Sequence, residues 1–283
     1  WHLDFLASLG GIRHVKAEAW SVHFEGHQPK AETIVIADRI SFPENHPFLE
    51  AFDRLKALAG DAPIKFTIPS PSMLHLICCV REENYEAIDL YKGNDDKLFA
   101  DIAQTWKDAM LALYAKGCRY LQFDDTSWGE FCSQEKRSAY AARGIDVDTV
   151  GRKYVACINE ILEAKPEDMT VTMHICRGNF RSTWFSSGGY EPVAENLFGN
   201  ACAEHADFFF VLIIIVGDKA SDREGEVTDR LVVTFHSCDG IGIGFIEISA
   251  IHTGFCGVGN GRCRDAGRKC FDVIHIILAQ RDI

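Results

Sequence analysis

The chain has 283 residues, of which 47% are hydrophobic and 25% are charged, and this is the profile of a globular enzyme. Its net charge of −12 at pH 7 and its pI near 5.4 argue against a nucleic-acid partner, because a phosphate backbone would repel it. The longest apolar run, Phe208–Val216, is too short to cross a bilayer, so no membrane partner is expected. Eleven cysteines without a CxxC pair predict reduced thiols and a cytoplasmic location.

Short β-branched or apolar segments alternate with helix-like segments in the first two thirds of the chain. The predicted strands are Thr33–Ile36, Ile64–Ile68, Tyr120–Phe123, Thr170–Ile175, Phe208–Val216, Leu231–Phe235 and Ile243–Ile248. The predicted helices, with apolar residues at three- and four-residue steps, are Pro47–Leu58, Leu98–Tyr114 and Gly151–Leu162. This alternation favours βαβ units and a parallel sheet.

We therefore predict an α/β fold of the (β/α)8 TIM-type barrel class, with residues 1–283 forming a single catalytic domain. The strand candidates fall one short of eight, which leaves a first strand to precede Trp1. The alternative is an open doubly wound sheet.

Val171–Asn179 is predicted to be a strand that runs into a loop. His174 and Cys176 are two residues apart, so on a strand both side chains point to the same face. At the carboxyl end of a barrel strand that face is the mouth, and an imidazole with a thiolate supplies two of the four ligands of a zinc site. The alternative is a buried histidine beside a buried cysteine. The polar segment that follows favours the mouth, and Arg177 within it is a candidate for substrate binding.

Two adjacent carboxylates end the next candidate strand, in the segment Arg119–Asp125. Asp124 and Asp125 are predicted to bind a substrate ammonium group or to act as acid and base, and Glu130 lies one short loop further on. For Asp125 the alternative role is that of a cap on the following helix.

A third candidate segment, Lys65–Ser72, is a predicted strand that ends in a loop with two prolines. Its hydroxyls, Ser70 among them, are candidates for hydrogen bonds to substrate. The alternative is a rigid turn, because each proline restricts its own backbone and that of the preceding residue.

Four motifs stand in the order in which the cobalamin-independent methionine synthase family has them. The sequence over residues 1–198 resembles the short, single-barrel members of that family, whereas residues 199–283 diverge. The segments that carry the resemblance are Trp1–Phe5, Phe66–His75, Tyr120–Asp125 and Met173–Trp184, and Gly188–Glu195 continues it.

The resemblance implies a (β/α)8 barrel with a catalytic Zn²⁺. It implies methyl transfer from a 5-methyltetrahydrofolate-type donor to the thiol of homocysteine, which gives methionine. A thiol is a poor nucleophile at its free pKa, and zinc coordination deprotonates it near neutral pH. By motif position, His174 and Cys176 are expected to bind zinc. Asp124 is expected to bind the homocysteine amino group, and Glu130 to contact the folate.

The remaining zinc ligands of the family do not stand at their usual positions. Val211 occupies the place of a glutamate ligand, and Thr253 that of a late cysteine. Cys256, three residues further on, and His252 are the candidate replacements. Two alternatives to the folate-dependent reaction stay open: methyl transfer from another donor, such as a methyl-corrinoid, to a small thiol, and a catalytically silent barrel that binds a metabolite.

Overall fold

The computed structural model describes residues 1–16, 32–175, 179–180, 183–200, 208–210, 229–232 and 247–251. Its helices are α1 (His2–Ala7), α2 (Pro47–Ala59), α3 (Pro71–His75), α4 (Asp95–Ala115), α5 (Ser127–Cys132), α6 (Gln134–Ala142), α7 (Val147–Leu162) and α8 (Glu191–Asn200). Its strands are β1 (Gly10–Lys16), β2 (Glu32–Ser41), β3 (Phe66–Pro69), β4 (Tyr120–Asp125), β5 (Thr170–Ile175), β6 (Asn179–Phe180), β7 (Thr183–Trp184), β8 (Phe208–Phe210), β9 (Asp229–Val232) and β10 (Glu247–Ile251).

A four-stranded parallel sheet, in the order β3-β4-β5-β8, is the scaffold of the described residues. Strands β4 and β5 are mostly buried, and their apolar and polar side chains alternate over Leu121–Asp124 and Thr170–Ile175, because successive side chains point to opposite faces. One face carries apolar side chains such as Leu121, Phe123 and Met173, all fully buried. The other face carries polar ones, among them Gln122 and Thr172, which are paired in register.

Helices α2, α4 and α7 begin where the local sequence provides a side-chain cap. The side chain of His46 accepts a hydrogen bond from the backbone of Phe48 at the start of α2. Asn94 caps α4 through Lys97, and Asp146 caps α7 in the same way. Both α4 and α7 bury an apolar stripe, and the two helices pack against each other.

The indole of Trp106 joins α4 to the sheet. This side chain is fully buried, and its Nε1 donates a hydrogen bond of 2.8 Å to the carbonyl of Pro69 at the end of β3. The carboxyl end of β3 is thereby held by a hydrogen bond from α4 as well as by its pairing with β4.

Several expectations from the sequence are confirmed and others need correction. The predicted helices are present, each extending by one to four residues beyond the predicted bounds. The strand predicted at Thr33–Ile36 exists within β2, but it pairs antiparallel with β1 instead of joining the parallel sheet. The segment after Ser70 is helical: α3 starts with Pro71 as its first residue and continues into a π-helical turn at Leu76–Val80.

The mixed α/β class is therefore observed, with parallel strands at its centre. Among the described residues the strands do not close into a barrel, so the (β/α)8 barrel remains a prediction. Within this same part of the chain, no helix has the length and apolarity needed to cross a membrane.

Candidate functional site

The carboxyl ends of β3, β4 and β5 bring Asp124 and His174 together. The register pairs Pro69 with Asp124 and Asp124 with His174, so the three residues occupy one rung of the parallel sheet. Paired residues of a parallel sheet point their side chains to the same face. The carboxylate and the imidazole therefore lie side by side on the polar face, at the carboxyl edge of the sheet, and this edge is where ligands of parallel α/β sheets bind.

His174 Nε2 and Asp124 Oδ1 are 3.5 Å apart. This distance is too long for a strong hydrogen bond, and Asp124 Oδ1 is buried without a hydrogen-bond partner among the described residues. The two side chains keep 22% and 16% of their surface exposed, Asp124 the larger fraction. A partly open carboxylate with an unused oxygen is suited to a cationic ligand group.

The electrostatic surroundings push both groups toward their neutral forms. Burial, followed by the adjacent Asp125 carboxylate, raises the pKa of Asp124 to about 6, while Lys65 acts in the opposite direction. Burial and the positive charge of Lys65 lower the pKa of His174. A true ion pair would shift both pKa values the other way, so near pH 7 the site presents an ionised carboxylate beside a neutral imidazole.

A neutral imidazole is the form of histidine that binds a metal, and His174 thus fits the role of a zinc ligand. The other two predicted ligands, Cys176 and Cys256, lie outside the described residues, as does Arg177. Within the described residues no group of three or more His, Cys, Asp or Glu side chains is close enough to hold a metal. The complete ligand set therefore remains a prediction.

Asp125 and Ser70 lie in a buried cluster, away from the polar face that carries Asp124. Asp125 accepts a hydrogen bond from Ser72 Oγ, and it also accepts from the backbone N–H (2.7 Å) and the hydroxyl of Ser127. Ser70 Oγ and Ser72 Oγ are 2.8 Å apart. All four residues are buried, with at most 2% of their surface exposed. Asp125 thus accepts hydrogen bonds from the first residue of α5, which corresponds to its alternative role at the start of that helix. Its predicted contact with substrate stays a prediction.

Glu130 lies on α5 and is fully buried with both carboxylate oxygens in use. Arg81 donates to Oε1 through Nε at 2.8 Å and through Nη2, and Tyr140 donates to Oε2 at 2.6 Å. Burial lowers the pKa of Arg81, but the negative charge and hydrogen bonds of Glu130 have the larger effect, so the pKa of the guanidinium is raised. Burial and Glu130 also raise the pKa of Tyr140. The predicted contact of Glu130 with a methyl donor stays a prediction, and it would require one of these protein partners to move.

Three partners of the acidic residues were not predicted from the sequence: Arg81, Tyr140 and Ser127. For Arg81 a signal existed, because it directly follows the apolar run Leu76–Val80 and a charge in such a place needs a buried partner. Ser127 stands two residues after Asp125, the spacing of an Asx-type turn. Tyr140 carries no comparable local signal.

The fold and the site define a class: a mixed α/β protein with a carboxylate and an imidazole on one rung at the carboxyl edge of a parallel sheet. Comparison with solved structures adds a crystal structure from Listeria monocytogenes of a protein provisionally assigned as a vitamin-B12-independent methionine synthase. It is 35% identical in sequence and has a TM-score of 0.54, with 75% of this chain and 59% of that chain covered.

Two curated relatives come from Bacillus subtilis (strain 168). Uncharacterized protein YxjG is 41% identical over 199 residues, and Uncharacterized protein YxjH is 40% identical over 198 residues. Each match covers 70% of this chain and 50% of the relative, so the chain spans about half the length of the curated relatives it matches. No family model matches the chain.

Proposed function

We propose that this chain carries the acceptor-binding half of a methyltransferase site, in which the thiol of homocysteine receives a methyl group and becomes methionine. The observation that carries the proposal is the pairing of Asp124 and His174 on one rung of the parallel sheet, with 3.5 Å between Oδ1 and Nε2. The likeness to the Listeria monocytogenes structure, at 35% identity, supports the same kind of reaction.

Asp124 would bind the ammonium group of the amino-acid substrate. Its Oδ1 has no hydrogen-bond partner among the described residues, and its carboxylate is mainly ionised near pH 7 because its pKa is about 6. An ammonium group would form a charge-assisted hydrogen bond with the part of this carboxylate that stays exposed. The adjacent backbone is held by Ser70, whose N–H donates to the Asp124 carbonyl at 2.8 Å.

His174 would bind zinc through its neutral imidazole, with Cys176 and Cys256 as further proposed ligands. Zinc, when bound, would lower the pKa of a coordinated thiol so that the sulfur is a thiolate near neutral pH. In the proposed reaction the homocysteine sulfur would form a bond to the methyl carbon, the bond between that carbon and the donor nitrogen would break, and the nitrogen would take up the proton that the thiol gives up. We propose 5-methyltetrahydrofolate as the donor, the compound that the resemblance implies.

Metal content and homocysteine binding test the proposal together. We expect about one zinc per chain by elemental analysis, lost in His174→Ala. In the cobalt-substituted protein we expect a thiolate-to-cobalt absorption band that grows as homocysteine is added. Asp124→Asn should retain the metal and weaken homocysteine binding about tenfold.

The matched control is Asp101→Asn. Asp101 lies on α4 and is also a buried carboxylate, but it is held by Arg39 and Tyr91 and not by residues at the carboxyl ends of the parallel strands. This variant should keep both metal and homocysteine binding. Zinc retained in His174→Ala, or homocysteine affinity unchanged in Asp124→Asn, would contradict the assignment of that residue. Methionine formed from methylcobalamin but not from 5-methyltetrahydrofolate would replace the proposed donor.

A further inference from the structure

We propose that Asp125 is a positioning residue that acts through Asp124: its buried carboxylate fastens the end of β4 to the end of β3 and to the first turn of α5. This arrangement fixes the place at which the Asp124 carboxylate faces His174. The proposal rests on the proposed function for the ligand that Asp124 binds, but the positioning itself is a property of the ligand-free protein.

The first support is that three donors converge on Asp125 from two different elements. Ser72, in α3 just beyond β3, donates to Oδ2. Ser127, the first residue of α5, donates to Oδ1 through its backbone N–H at 2.7 Å and through its hydroxyl. Asp125 is fully buried, so no part of its carboxylate is left to contact a ligand directly. The hydrogen bonds of Asp125 therefore connect parts of the protein to each other and are not contacts with a ligand.

The second support is that further contacts around Asp125 join the segment from β3 to α3 with the segment from β4 to α5. The Ser70 backbone N–H donates to the Asp124 carbonyl at 2.8 Å. The backbone N–H and hydroxyl of Thr126 contact Met73 Sδ at 3.2 and 3.1 Å. The backbone of Asp124 is thus held in place by the hydrogen bond to its carbonyl and by the contacts of Asp125 and Thr126, which follow it in the chain. Only the side-chain torsions of Asp124 remain free to vary, which is how a binding group is kept in one geometry.

The third support is that a carboxylate suits this position better than its amide. Three donors meet two acceptor oxygens, and each hydrogen bond to an ionised acceptor is stronger than one to a neutral group. In Asp125→Asn one oxygen would still accept from Ser127, but the new NH2 group would face Ser72 Oγ. The Ser72 hydroxyl would then accept a hydrogen bond from this NH2 group and donate its own proton to Ser70. The variant should therefore fold, but with an altered hydrogen bond between residue 125 and α3.

Ligand discrimination tests the inference. We compare L-homocysteine with 4-mercaptobutanoate, which has the same thiol and carboxylate but lacks the ammonium group. In Asp125→Asn we expect homocysteine binding to weaken about tenfold and 4-mercaptobutanoate binding to stay unchanged. Equal weakening for both ligands, or for neither, would overturn the positioning role. Asp101→Asn is the control for the loss of a buried charge elsewhere, and it should discriminate between the ligands as the wild type does.

A double-mutant cycle gives a second readout. If Asp125 acts through Asp124, the combined Asp124→Asn and Asp125→Asn variant should bind homocysteine no more weakly than Asp124→Asn alone. Multiplicative losses in the double variant would mean that the two residues act independently, and this would overturn the inference.

A measurement on the ligand-free protein separates this inference from the proposed function. With EDTA present and at one fixed pH, the NMR signals of the His174 ring should shift in Asp125→Asn and stay in place in Asp101→Asn. Unmoved His174 signals would overturn the positioning role even if homocysteine binds. If the wild type binds no homocysteine while the His174 signals move, the proposed function fails and the positioning role stands.

Discussion

Asp124 and Asp125 are neighbours in the chain, yet they lie in opposite surroundings. Asp125 points to the packed face of the sheet and accepts hydrogen bonds from Ser72 and Ser127. Asp124 points to the polar face, where its Oδ1 has no hydrogen-bond partner within the described residues and His174 lies 3.5 Å away. One carboxylate is thus fully satisfied by the protein, and the other has binding capacity left for a ligand.

The difference separates a structural from a functional carboxylate by a physical criterion. Burial raises the pKa of both groups, but hydrogen bonds from Ser127 and Ser72 counteract it only at Asp125. Buried polar groups in proteins are normally satisfied, so an unsatisfied one at the edge of a sheet is a candidate for ligand contact. Glu130 belongs with Asp125 by this criterion, because Arg81 and Tyr140 occupy its two oxygens.

The largest expected effect comes from removing the satisfied carboxylate. Asp125→Ala should lower the free energy of unfolding by about 3 kcal/mol, because the hydroxyls of Ser72 and Ser127 and one backbone N–H lose their acceptor inside the protein. Urea denaturation measures the change. Asp108→Ala, at an exposed carboxylate on α4, is the control and should stay within about 0.5 kcal/mol of the wild type. A loss below about 1 kcal/mol for Asp125→Ala would mean that the cluster contributes little.

An intermediate effect is expected for His75 on α3, a buried polar group with a single hydrogen-bond partner among the described residues. Burial lowers its pKa from 6.5 to about 4, and its Nδ1 lies 3.0 Å from the hydroxyl of Tyr154. The imidazole also packs on Phe99, with Asp95 and Lys153 as the charged groups that influence it. The unfolded chain binds the proton more readily, so the stability due to neutral His75 is complete above pH 6.5 and falls as the pH drops toward 4.

Between pH 7 and pH 5 this linkage should cost the wild type about 2 kcal/mol of unfolding free energy. His75→Phe should remove that part of the pH dependence. Tyr154→Phe breaks the same hydrogen bond but keeps the imidazole, so its pH dependence should follow the wild type. Urea denaturation at the two pH values measures the difference, and equal slopes in all three proteins would refute the role of His75.

The smallest loss of stability is expected at the unsatisfied carboxylate. Asp124→Asn should raise the free energy of unfolding at pH 7, by up to about 2 kcal/mol, because burial raises the pKa of Asp124 to about 6 and the amide removes this buried charge without the loss of an Oδ1 hydrogen bond within the described residues. Chemical denaturation in the absence of ligand measures this. A loss above about 2 kcal/mol would erase the contrast with Asp125 and indicate a protein partner for Asp124.

Much of the site could be predicted from local sequence. In β5 the alternation of polar and apolar side chains, together with the polar residues that follow, predicted His174 at the carboxyl edge of the sheet. In β4 the two carboxylates at the end of an apolar strand predicted the same position for Asp124. Carboxyl ends of parallel strands share one edge, so their proximity followed from the strand assignment alone. The helices α2, α4 and α7 were equally readable, because each has an apolar stripe and a capping residue before its first turn.

Local sequence was therefore sufficient to predict the central parallel strands, their direction and the two side chains at their ends. The partners of the other polar groups depend on how distant segments pack together. Arg81 and Glu130 are 49 residues apart and Ser72 and Asp125 are 53 apart, so no local pattern links them. The pairing of β2 with β1 was likewise decided by contacts across the chain. The physical reason is that strand and helix periods are local, whereas the satisfaction of a buried charge depends on which segments pack together.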